Sequence, residues 1–221
     1  VSKPRARIRS IDREGVVMPY VEAAVRRQQL VAAARGALTR DGVAGTSLRA
    51  VAAEAGVPLG TMQYVFPSKE LLLRAVIEDV VDEIADVLKG TAELEKGLEH
   101  AIRQGLSSFW SQLVADRRNL QIMQYELTTY ALRTPGQEHL ARWQYERYAG
   151  IVAEWCEQAA DNAGETCAVS FAQLGRIVVA GIDGLIIQHV CDPDDARSGE
   201  DLDATISMLI ALAGVRAVGT G

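Results

Sequence analysis

TSLRAVAAEAGVPLGTMQYVFPSKELL, residues 46–72, decides how the whole chain is read. Ser47, with Thr46 as its alternative, is a hydroxyl residue placed to accept a hydrogen bond from an unpaired first-turn N–H. Leu48, Val51, Ala52 and Ala55 follow at helical spacing on one side, with Arg49 and Glu54 off it. Gly56 stands where a helix end needs a left-handed residue, and Pro58 can open the next helix because a first-turn proline forfeits no hydrogen bond. The turn is then about three residues long, as in a DNA-binding helix-turn-helix. In the second helix, Pro58 to Phe66, Met62 and Phe66 lie four apart on the inner side. That leaves Leu59, Gly60, Thr61, Gln63 and Tyr64 nearer an outer side that would face DNA.

With its flanks, the stretch resembles the helix-turn-helix of the TetR family of transcriptional regulators. The family pattern is a hydroxyl, an apolar and a basic residue, then A-x-x-A-G-V, a short helix with an aromatic cluster, and F-x-S/N-K-x-x-L. Those elements stand here as Ser47-Leu48-Arg49, Ala52 to Val57, Gly60 to Phe66, and Ser68-Lys69 with Leu72. Arg27-Gln28-Gln29-Leu30, Ala33-Ala34 and Asp41-Gly42 are similar to the family's first helix. Two positions depart from the pattern: Gln63 stands where the family usually has tyrosine, and Val65 where it often has histidine. The Gln63 amide can instead pair with the edge of adenine.

The resemblance implies an all-α protein, with an N-terminal three-helix DNA-binding domain and a larger C-terminal helical domain for ligand binding and dimerisation. It implies a ligand-responsive regulator, a repressor released from its operator by a small molecule, bound as a homodimer to a near-palindromic double-stranded site. Phosphate contacts would come from Thr46 or Ser47, Tyr64, Lys69 and Arg49. Base contacts would come from Thr61, Gln63 and the backbone around Gly60, with Arg49 a second candidate and Leu59 on the same face. Lys69 is notable on local grounds too. It follows the Pro67-Ser68 helix start, where a cation opposes the helix dipole unless an anion is near, and in the family the matching lysine meets phosphate.

Composition sets the outer limits. Hydrophobic residues make up 48% of the 221 and aromatics only 5%, which suits packed helices rich in Ala, Val and Leu. Cys156, Cys167 and Cys191 form no C-x-x-C pair, so neither a zinc site nor a disulfide framework is indicated, and a reducing cytoplasm fits. The basic start is not followed by an apolar run, and the Ile177 to Val190 stretch is short and carries Asp183, which predicts a soluble chain with no membrane partner. The net charge of −6 divides unevenly: residues 1–77 hold 12 basic and 6 acidic side chains, and residues 78–221 hold 11 and 23. One end is thus suited to nucleic acid and the other is not.

In chain order, residues 1–19 read as a basic arm with Lys3, Arg5, Arg7, Arg9 and Arg13, either laid on DNA or a solvated tail, with Met18 an alternative start. Residues 20–67 read as the DNA-binding domain. Its first helix carries Arg26 and Arg27, on phosphate or on an ordinary solvated face. Residues 68–221 read as the effector and dimer domain. Its first helix runs to about Leu88 with an acidic side of Glu78, Asp79, Asp82, Glu83 and Asp86. A helix from Leu94 to Leu113 and another from Arg117 to Arg133 follow. Thr134-Pro135-Gly136-Gln137 has the pattern of a capping box opening the next helix, which runs to Ala163. The last two helices, about Ser170 to Cys191 and Ser198 to Val218, either complete the core or pair with a copy; Ala180, Gly181 and Gly184 leave room for close approach. The resemblance favours a homodimer through these helices.

No catalytic motif, metal-ligand spacing or phosphate-cradling glycine loop occurs, so no catalytic residue, metal or cofactor is expected, and His189 with Cys191 and Asp192 reads as rim or core. Aromatics of the larger domain, among them Phe109, Trp110, Tyr125, Tyr130, Tyr148 and Trp155, either pack as core or line an apolar cavity. The candidate effector set is Phe109, Met123, Glu126, Leu127, Trp143, Arg147, Gln173 and Ile177. Two rivals stand beside the regulator: a helical protein-interaction adaptor that no longer reads DNA, and an enzyme on a helical scaffold.

Overall fold

The computed structural model describes residues 17–90 and 93–217. Most of the basic arm expected at the start therefore lies outside the described residues, while residues 17–19, assigned to it from sequence, open the first helix. Nine α-helices occupy the described residues: α1 (Val17–Gly45), α2 (Leu48–Glu54), α3 (Leu59–Val65), α4 (Lys69–Gly90), α5 (Leu98–Phe109), α6 (Arg118–Arg133), α7 (Glu138–Ala163), α8 (Phe171–Cys191) and α9 (Asp195–Ala213). A two-residue antiparallel pairing of β1 (Glu165–Thr166) with β2 (Arg216–Ala217) ties the start of α8 to the end of α9.

Local chemistry explains the boundaries. Gly42, at φ 72°, breaks the helical path of α1 where the sequence expects a stop. The Ser47 hydroxyl accepts from the Ala50 N–H at 3.2 Å and caps α2. Gly56, at φ 65°, turns the chain, and Pro58 sits just outside α3 as its cap residue, not inside it. α8 and α9 are capped the same way, by Ser170 on the Gln173 N–H and Asp194 on the Arg197 N–H. Two junctions differ from expectation. The Thr134 hydroxyl donates to the Tyr130 carbonyl at 2.7 Å and closes α6, so no capping box forms and α7 begins at Glu138. The helix expected from Leu94 to Leu113 divides at Gly97 (φ 90°), with a 3-10 turn before α5 and a π-helical turn, Trp110–Val114, after it.

Two apolar cores result. The first joins α1 to α4 and takes in Met123, Leu127 and Ala131 of α6 and Leu140 of α7. The second gathers α5, the later turns of α7, α8 and α9. The N-terminal helices, the head of the molecule, therefore share their core with α6, far along the chain. Charge reinforces the join. Arg35 of α1 donates to Asp79 at 2.8 Å and to Glu83 of α4, and Arg117 reaches Glu83 at 2.5 Å. The acidic side of α4 is thus a partner surface for α1.

α8, at 21 residues, is long and apolar enough to cross a membrane, beyond what the Ile177 to Val190 run implies. Its Leu174, Val178, Ile182 and Ile186 side is instead packed in the second core. Of the three small residues expected to admit a close helix, Gly181 lies where an added Cβ would stand 3.4 Å from the Thr205 methyl of α9, while one at Gly184 would meet nothing within 4 Å. Ile177, Ile187 and Met208 are exposed on the outer side of α8 and α9.

Candidate DNA interface and effector cavity

α3 is bound to the head by Met62, fully buried, and by Phe66 at its end. Its opposite side carries Gly60, Gln63 and Tyr64, all exposed, with Thr61 half-buried beside them. Tyr64 is 89% exposed, an unusual position for a phenol with nothing to cover it. Leu59 is half-buried against the first core, so its reach toward a ligand is limited. Ser47 and Arg49 flank this face from α2, both exposed, and Arg49 has no ion pair among the described residues.

Two of the expected phosphate contacts lie elsewhere. Thr46 is buried, and its hydroxyl donates to the Gly42 carbonyl at 2.8 Å; it locks the bend near the end of α1 and is not on the exposed side. The Lys69 ammonium turns inward, donating to the Val43 carbonyl at 2.5 Å and lying 5.1 Å from the centroid of the Tyr130 ring. Partial burial lowers its pKa. The cation at the helix start thus finds its acceptor within the protein. Arg27 is also engaged, against Glu78 at 3.4 Å and over the Phe66 ring. We expect Lys69→Met to cost about 1 kcal/mol of stability while leaving the salt dependence of DNA binding unchanged; a slope smaller by about 1 would return Lys69 to the phosphate contacts.

Val43 is held from its other side as well. Its N–H donates to the Glu126 carboxylate of α6 at 3.0 Å, and a Cβ at Gly42 would stand 2.7 Å from the same oxygen. Glu126, expected from the sequence to serve an effector, instead clamps the bend at Gly42 and Val43, near the end of α1.

The opposite side of α6 does face a cavity. Gln121, Gln124, Tyr125 and Thr128 line it at the same i, i+3, i+4, i+7 spacing by which Met123, Glu126, Leu127 and Tyr130 face the head. The cavity encloses about 70 Å³. α7 contributes Gln144, Tyr145, Tyr148 and Val152; α8 contributes Val178, Ile182 and Asp183; Phe109 and Ile84 come from α5 and α4. Burial pushes the Tyr125, Tyr145 and Tyr148 phenols up, with the Asp183 charge adding to each shift, and burial raises Asp183 itself against the lowering effect of a Tyr145 hydrogen bond.

Of the eight residues the sequence proposed for an effector, Phe109 is on this wall. Met123 and Leu127 are core between α6 and the head. Trp143 packs against the first core under Arg74, whose guanidinium lies 4.6 Å from its ring centroid. Arg147, Gln173 and Ile177 are on the outer surface of α7 and α8. Trp110 and Trp155 are core; His189, buried, shares a hydrogen bond with the Ser198 hydroxyl at 3.0 Å and meets the edge of Trp110. Among the described residues no group of three His, Cys, Asp or Glu is arranged to hold a metal ion. Sequence reading missed Tyr145, Asp183 and the glutamines. The double periodicity of α6 and the lone acid within Ile177 to Val190 were the signals that could have found most of them.

Comparison with known proteins agrees with this architecture in both halves. The profile described as bacterial regulatory proteins, tetR family, matches residues 30–76, and that described as tetracyclin repressor-like, C-terminal domain, matches residues 99–212. The chain belongs to the TetR family. It is a DNA-binding, ligand-responsive transcriptional repressor, and its family is one of regulators; an adaptor that has lost DNA binding is not favoured. A curated TetR-family relative, the HTH-type nicotine-responsive transcriptional repressor HdnoR of Paenarthrobacter nicotinovorans, is 29% identical over 194 residues, 86% of this chain and 96% of the relative. The multidrug binding protein EbrR, solved with ethidium, matches with a TM-score of 0.62 and 27% identity, covering 85% of this chain and 98% of that one. A transcriptional regulator from Rhodococcus sp. Rha1 shares the TetR-type fold at a TM-score of 0.65 and 20% identity, covering 87% and 99%.

Proposed function

We propose that this repressor reads its operator through Thr61, Gln63, Tyr64 and the backbone at Gly60, with Ser47 and Arg49 on phosphate, and that its effector occupies the cavity between α4 and α8. Residues 20–67 then form the reading head, and residues 68–221 the effector and dimer part, with α6 serving both. The observation that carries this reading is α6 itself: one side lines the cavity, and the other, through Glu126, holds Val43 at the bend leading to the helix-turn-helix. An effector that displaces α6, with α4 beside it, shifts the head; ligand and DNA thereby disfavour one another.

A single α3 spans only a few base pairs, so operator reading needs two copies with recognition helices about 34 Å apart. The exposed apolar faces of α8 and α9, with Ile177, Ile187 and Met208, supply the surface for a homodimer. The HdnoR and EbrR relatives, one nicotine-responsive and one solved with ethidium, support a small organic effector. Such a regulator works where its operator is, in the cytoplasm.

The test is fluorescence anisotropy on duplexes tiling the DNA upstream of the protein's own gene, at two salt concentrations. Tight, salt-sensitive binding of one dimer to one tile is expected. On that tile, Gln63→Ala should relax preference at one base pair by about 1–3 kcal/mol; equal loss on every sequence would assign Gln63 to the backbone instead.

A further inference from the structure

The cavity wall holds one carboxylate, Asp183, and no lysine, arginine or histidine. Its neutral hydrogen-bonding groups are occupied with one another. Gln144 donates to the Tyr148 hydroxyl at 3.0 Å, Tyr148 to Gln124 at 2.9 Å, and Gln124 to Gln121 at 3.2 Å. Tyr125 spends its hydroxyl on the Asp183 backbone carbonyl at 3.1 Å. The Asp183 side chain has the Tyr145 hydroxyl as a hydrogen-bond partner and no cation in an ion pair among the described residues. Tyr145 and Tyr148 meet edge to face, with centroids 5.9 Å apart and planes at 72°, and present ring surface beside it.

A carboxylate taken from water without a counter-charge is unfavourable, and a cation entering the cavity relieves it. Phenol rings add attraction for the same charge. An anion would meet the Asp183 field with no basic group to receive it. We propose that the effector is a compact organic monocation, a protonated or quaternary amine on an apolar body, with Asp183 as its counter-ion; this rests on reading the cavity as the effector site. The raised pKa of Asp183 agrees, since it marks a carboxyl whose charge the protein's own groups satisfy poorly.

Phenyltrimethylammonium and its neutral isostere tert-butylbenzene differ by one charge at nearly constant shape. Calorimetric titration of the full chain should find the cation bound about 10- to 100-fold more tightly, with operator release following its occupancy. Asp183→Asn should bring the two probes to within about threefold while raising the melting temperature, since it removes the uncompensated charge, and Asp183→Glu should keep most of the preference. A neutral probe bound as well as the cation, or a preference that survives Asp183→Asn, overturns the charge assignment. If operator release by that neutral probe is then abolished by Val179→Trp, which fills the cavity from its α8 wall, the effector-site reading stands alone. Release that survives Val179→Trp overturns both, and binding of neither probe overturns the cation assignment.

Discussion

Gly175→Ala is expected to destabilise the protein by about 3 kcal/mol, a fall in melting temperature of roughly 6–12 °C for a chain of this size. A methyl group at this point of α8 would stand 2.4 Å from the Ala149 carbonyl oxygen and 3.1 Å from the Ala153 nitrogen and Cβ. The obstacles include helical backbone, which cannot rotate aside as a side chain would. The only relief is to part α7 from α8. Leu174 and Val178, on either side, are buried in the core that spans both helices, so parting them loses contacts over the whole seam. Gly150, the residue after Ala149 on α7, is the control. A Cβ there meets nothing within 4 Å, so Gly150→Ala should be neutral or gain up to about 1 kcal/mol from helix propensity. Both are to be compared by thermal unfolding at one protein concentration, because a midpoint shifts with concentration wherever copies associate. Equal melting temperatures for the two variants would mean that the α7–α8 seam can open at little cost.

The helix-turn-helix was legible because its signals are local. A cap hydroxyl, a left-handed glycine and a buried pair four residues apart each act within one turn of chain, and Ser47, Gly56, Met62 and Phe66 do what their spacing implies. The corrections arise where the deciding partner is distant. Lys69 at a helix start requires an acceptor, and sequence cannot say that the Val43 carbonyl, 26 residues back, supplies it. Glu126 finds Val43 across 83 residues. Trp143, Arg147, Gln173 and Ile177 are correctly helical yet turned away from the cavity, since a helix packed on several sides has more than one apolar stripe and periodicity does not say which neighbour each stripe meets. α6 is the clearest case. Its cavity and head stripes are offset by two residues, so both were present in the sequence, but their assignment to opposite neighbours required the packing.

Glu126→Ala is expected to separate effector binding from DNA release. In the wild type the bend near the end of α1 is fixed on both faces of one peptide residue: Glu126 accepts from the Val43 N–H, and Lys69, over Tyr130, donates to its carbonyl. Glu126 and Tyr130 are one turn apart on α6, so both contacts move with the helix that lines the cavity. A hydrogen bond to a charged acceptor contributes about 1.5–3 kcal/mol, comparable to the 1–3 kcal/mol by which effector and operator typically influence each other. Removing the carboxylate should therefore reduce an effector's loosening of operator binding from about 5- to 150-fold to within about threefold, while its affinity for the DNA-free protein changes little. Reciprocity gives a second readout: operator DNA should lose its effect on effector affinity by the same factor. A variant at Gly42 separates sterics from the hydrogen bond. Gly42→Ala places a methyl 2.7 Å from the Glu126 oxygen on a backbone at φ 72°, so it should destabilise the head and disturb the coupling together. Adding Glu126→Ala should relieve the clash but not the backbone strain, which predicts non-additive unfolding energies in a double-mutant cycle. Full effector response in Glu126→Ala would remove this clamp from the route and leave α4, in contact with both cavity and head, as the element that carries the signal.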